Sequence, residues 1–142
     1  MDIGDIRKRV RRTIADARRA AAERRAQVAA AERDGAEVLA DVAAPLFTML
    51  AAALKAEGYR FRVLTPAGTV RLAAESSGDD YIEIALDTTR EPPGLVGRVS
   101  RGWGRRVLVD ETTLREAADI SSLTADDLLD FTLAQLPPFV GR

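Results

Sequence analysis

A chain of 142 residues and 15.4 kDa with 46% hydrophobic residues is long enough to bury a core, so disorder of the whole is not expected. The absence of cysteine and histidine removes disulfides, thiolate nucleophiles, the usual zinc ligands and imidazole acid-base catalysis together. The net charge of -1 conceals an asymmetry: residues 1–34 carry ten basic and six acidic side chains, residues 110–142 two basic and seven acidic.

Such a split suits nucleic-acid contact by the basic end, or two ends that meet in the fold or across an oligomer. Arginine outnumbers lysine by 19 to 2 in an alanine-rich chain. That is the codon bias of a GC-rich bacterial genome, and it weakens arginine content as a sign of nucleic-acid binding. No run approaches the ~20 consecutive apolar residues of a membrane span, and MDIGDIRKRV lacks the apolar core of a signal peptide. A cytoplasmic protein without membrane contact is expected.

From Ile3 to Ala43 there is no proline and no loop cluster, and Ala, Arg, Glu and Asp dominate. The pattern predicts a helix of about 40 residues, about 60 Å long against a usual ~12 residues. Apolar or small residues recur three or four apart at Ile3, Ile6, Val10, Ile14, Ala17, Ala21, Val28, Ala31, Val38 and Val42, with Arg24 and Gly35 filling the gaps. The spacing is that of a coiled-coil seam. Its alanine-rich middle permits close approach but buries little area at ~25 cal/mol per Å². The densest charge, Arg7, Lys8, Arg9, Arg11 and Arg12, spreads around most of the helix. It reads first as a solvated face and second as a nucleic-acid contact.

Pro45 either kinks this helix or opens a new one at its first turn. Leu46, Phe47, Met49, Leu50, Ala53 and Leu54 then give a broad apolar face of core type, and Gly58 offers a left-handed stop. After Gly58 the period changes to two. YRFRVLT, TVRLAAE, YIEIALD, LVGRVS and RRVLVD read as five antiparallel strands with one apolar face, joined by the turn-rich PAG and SSGDD.

Within RVSRGWGRRV, Gly102, Trp103 and Gly104 read as a hairpin tip with arms starting near Val99 and Val107, both glycines being required by the turn. The lone tryptophan, flanked by Arg101 and Arg105, then projects as a contact residue of the kind enriched at interfaces. Thr113 and Glu116 have capping-box spacing and predict a short helix through Ala118. Thr124 reads as the N-cap of a last helix, stapled by Leu123 and Leu128 and stopped by Pro137 and Pro138.

The expected architecture is α+β: a long N-terminal coiled-coil-like arm over 1–44, then a globular domain over 45–142. That domain holds the helix after Pro45, a five-stranded antiparallel meander and a C-terminal helix on the sheet. No catalytic constellation emerges. The adjacent carboxylates Asp79–Asp80, Asp110–Glu111 and Asp126–Asp127 suit a turn, a strand end and a helix start. The serines lie in no nucleophile motif, and Lys55 suits a helix terminus.

No enzyme, metal or cofactor is expected. The function expected is an adaptor that homo-oligomerises through the long helix and binds a protein partner through Trp103, Arg101 and Arg105. The alternative is a nucleic-acid-binding protein using Arg7, Lys8, Arg9, Arg11 and Arg12.

Overall fold

A computed structural model describes residues 1–141. The long helix forms as the sequence predicts and does not stop at Pro45: α1 (Ile3–Val38), a π-helical turn (Leu39–Ala43) and α2 (Ala44–Ala56) make one continuous rod. Asp2 caps its start by accepting from the Asp5 N–H at 2.9 Å. Proline has no N–H to offer the preceding turn. The widened turn lies immediately before it, with the Ala44 N–H reaching back to the Leu39 carbonyl. Pro45 then sits within the first turn of α2, where its missing donor costs least.

An 18-residue window of this rod reaches a mean hydropathy of 1.7, apolar enough by composition to cross a membrane. The stretch is not a run of consecutive apolar residues, since Asp41 and Thr48 interrupt it, and it qualifies by its mean alone. In the fold, Val38, Leu39, Ala43, Leu46, Phe47 and Leu54 of the rod belong to the buried core. That core also takes Ala31, and Gly35 is buried beside it. The part of the helix free of the domain therefore ends near residue 20, not at residue 44.

The sheet is a meander of β1 (Phe61–Leu64), β2 (Thr69–Ala74), β3 (Tyr81–Asp87), β4 (Gly94–Trp103) and β5 (Arg106–Glu116), every neighbour antiparallel. One face carries Leu72, Ile82, Ile84, Leu95 and Val99 into the core beneath the rod and α3 (Ala125–Gln135). Two glycines permit the close approach. A Cβ at Gly35 would lie 3.1 Å from the Leu86 methyls, and one at Gly97 would lie against Cζ of Phe131 in α3, too close to fit.

The opposite face is tied by charge. Arg71, Glu83, Arg98 and Glu111 are successive direct partners across β2, β3, β4 and β5. Arg71 Nε donates to Glu83 at 2.8 Å, Arg98 Nε donates to Glu111 at 2.8 Å, and Arg98 Nη1 reaches Glu83 at 3.5 Å. Glu83 is only 3% exposed, and two guanidiniums compensate its charge. The hydrogen bond to Glu111, opposed by burial, raises the pKa of Arg98 above the ordinary arginine value. Arg71 also lies over the Tyr81 ring, 4.0 Å from its centre.

Two local expectations are corrected. The segment from Thr113 to Ala118 is not a helix. Strand β5 continues to Glu116, a 3-10 turn follows at Ala117–Ser122, and Ala117 takes a positive φ of 33° at the corner. Pairing with β4 and the bond from Arg90 to Thr113 outweigh the local capping spacing. Thr124 does cap α3: it accepts from the Asp127 N–H while Asp127 accepts from the Thr124 N–H. Those bonds from Thr124 lower the Asp127 pKa. Pro137 ends α3 and opens a one-turn helix, α4 (Pro137–Val140), whose Phe139 packs edge-on against Phe61.

The α3–sheet contact is directly testable. Gly97→Ala should destabilise the domain by about 1–3 kcal/mol through overpacking, and Phe131→Leu in the same chain should recover part of the loss, both read by urea unfolding. An unchanged midpoint for Gly97→Ala would mean that α3 does not sit on β4.

Candidate interaction site

The arm presents the first candidate surface. Its stripe is one continuous seam with two fates. Ala31, Gly35 and Val38 are buried against the domain, whereas Ile3, Ile6, Val10 and Ile14 are exposed. Gly35 meets Leu86, and Arg24 reaches Glu91 at 3.7 Å. The arm therefore leaves the domain at the sheet end where Leu86, Leu95 and Arg115 are in register. Beyond that point residues 3–20 are exposed on every side. Arg7, Lys8, Arg9, Arg11 and Arg12 all lie there, without an ion-pair partner among the described residues.

The second candidate lies at the other end of the sheet. The turn that joins β4 to β5 consists of Gly104 and Arg105, not of Gly102, Trp103 and Gly104, and Trp103 is the last residue of β4, opposite Arg106. Only Gly104 has a positive φ, of 62°, as the first position of a II′ hairpin turn requires. The Gly102 N–H donates instead to the Asp80 carboxylate at 2.8 Å.

Trp103 projects, 72% exposed. With Arg101, Gly102, Leu108 and Pro138 it borders a shallow cleft of about 540 Å³. Trp103 and Arg101 are thus brought together, whereas Arg105 lies in the turn and does not line the cleft. Leu108 and Pro138 were not legible as members of this site. The first needed the register of β4 with β5, and the second needed the path of α4 back to the sheet.

Elsewhere several charged groups are occupied structurally. Glu111 holds Arg98, and Asp127 closes the α3 cap and pairs with Arg115 at 3.0 Å. The Thr89 hydroxyl donates to Asp87 and lowers its pKa. Among the described residues no three acidic side chains gather as a metal site would need. An apolar groove of about 630 Å³ lies between the rod near the π-turn and the turn joining β1 to β2.

Comparison with protein families, with curated proteins and with solved structures returns no match. The reading of function therefore rests on these surfaces.

Trp103→Ala should leave the unfolding free energy within about 0.5 kcal/mol of the wild type, as for other exposed substitutions. Loss of about 3 kcal/mol or more, the cost of deleting a buried ring, would show that the indole packs on the sheet.

Proposed function

We propose that this chain is a non-enzymatic interaction module that self-associates, as a homodimer, through its N-terminal arm and presents Trp103 and Arg101 to a protein partner. The observation that carries the reading is the continuity of the arm's seam. A row of small and apolar side chains that already packs on the domain at Ala31, Gly35 and Val38 continues, bare, through Ile14, Val10, Ile6 and Ile3.

A lone helix gains stability mainly by packing an apolar face, and a second copy of the same seam supplies one. Trp103 lies at the far end of the sheet from the arm and stays accessible when the arm is paired.

The test is the mass in solution, by size exclusion with light scattering, of the wild type and of a variant with Ile3, Ile6, Val10 and Ile14 changed to serine. All four residues are exposed, so the fold of the domain should be unaffected. The variant should show a lower mass than the wild type at equal concentration. Equal masses would remove the reading.

A nucleic-acid function is the second reading, favoured by the five exposed, unpaired cations from Arg7 to Arg12. It requires retention of DNA or RNA that weakens with salt by about 0.9 in log K per phosphate neutralised. It also requires that retention to disappear when those five residues become glutamine. Equal shifts for wild type and variant would discard it.

A further inference from the structure

β5 is an edge strand, and its two halves differ. Unpaired edges invite association, and proteins blunt them with bulges, covering side chains or loops. The second half of β5 is blunted. Its ladder has a bulge opposite Leu95 and Val96, Arg90 lies across it by bonding Thr113 and Glu116, and Leu114 packs on the core. The first half is bare and apolar, with Val107 49%, Leu108 41% and Val109 54% exposed.

The bare half is complementary to itself. Arg105-Arg106-Val107-Leu108-Val109-Asp110-Glu111 runs as two cations, three apolar residues and two anions. Set antiparallel to a second copy about a two-fold axis through Leu108, it places Arg106 opposite Asp110, Val107 opposite Val109, and Leu108 opposite its own copy. Arg105 then faces Glu111. Arg105, Arg106 and Asp110 have no ion-pair partner among the described residues, so the charges are available.

Backbone parity agrees with this register. Trp103 and Arg106 flank a two-residue turn and so form a hydrogen-bonded pair. The alternation of an antiparallel ladder then directs the N–H and C=O groups of Val107 and Val109 outward, and those of Leu108 toward β4. In the two-fold register Val107 and Val109 face each other across the axis and bond. A slip of two residues either way sets Leu108 against Arg106 or Asp110, losing the apolar centre and both charge pairs.

We propose that the first half of β5 is a homophilic docking edge that joins two copies of this chain into one continuous sheet about a two-fold axis at Leu108. This interface is separate from the arm and does not depend on it.

The experiment uses the full chain in which Ile3, Ile6, Val10 and Ile14 are serine, so that arm association does not contribute. Light scattering should still give twice the 15.4 kDa chain mass, below the wild type, in which pairing of the arms joins such dimers into a larger assembly. Arg106→Asp or Asp110→Arg alone should weaken that dimer about tenfold or more, since each sets like charges opposite at two symmetric positions. An equimolar mixture of the two variants, or both changes in one chain, should restore it, because each cation then faces an anion again.

A second measurement is independent of the charges. The chain has no cysteine, and a non-hydrogen-bonded antiparallel pair holds its Cα atoms about 4.5 Å apart, within disulfide range. Leu108→Cys should therefore cross-link to its own copy on mild oxidation much faster than Val107→Cys or Val109→Cys. Three results would each overturn the proposal: a monomer in the arm variant, charge variants no weaker than their parent, or equal cross-linking at all three cysteine positions.

Discussion

The continuity of the helix through Pro45 is the constraint on which the rest of the molecule depends. A break there would have let residues 1–44 fold or move as a separate piece. The π-turn at Leu39–Ala43 instead places the proline in the first turn of α2, where its missing donor costs least, so one rod both covers the sheet and leaves it. Val38, Leu39, Leu46 and Phe47 pack in the core, and the same element carries Ile3 to Ile14 into solvent. Anchoring by its buried half is what makes the exposed half a directed arm.

The sheet beneath obeys a related economy of faces. Its inner face is closed by the rod and by α3, where Gly97 admits Phe131. Its outer face is closed by the alternating ladder of Arg71, Glu83, Arg98 and Glu111. With both faces committed, what is left to meet other molecules is peripheral: the arm at one end, the Trp103 cleft at the other, and the free edge of β5 between them. On the outer face Arg71 and Arg98 are paired with Glu83 and Glu111.

What the sequence disclosed, and what it withheld, divides along local and non-local physics. The long helix from Ile3, the change of period after Gly58, and the Thr124 cap depend on neighbours within a few residues, and each forms where it was read. Thr113 and Glu116 carried an equally local signal and were misread, because strand pairing with β4 decides their conformation. Pro45 was ambiguous because a proline at a kink and one inside a first turn have the same sequence. The burial of Glu83 was hidden, since it depends on two arginines from different strands. Of the candidate site, Trp103 and Arg101 were legible, while Leu108 and Pro138 required the strand register and the return of α4.

The central claim is that one seam is buried at its C-terminal part by the domain and at its N-terminal part by another copy. Amide hydrogen exchange followed across protein concentration tests it most directly. Protection of residues 31–56 should be constant, being set by the core, while protection of residues 3–20 should rise with concentration. Protection of 3–20 that stays the same at every concentration would contradict it.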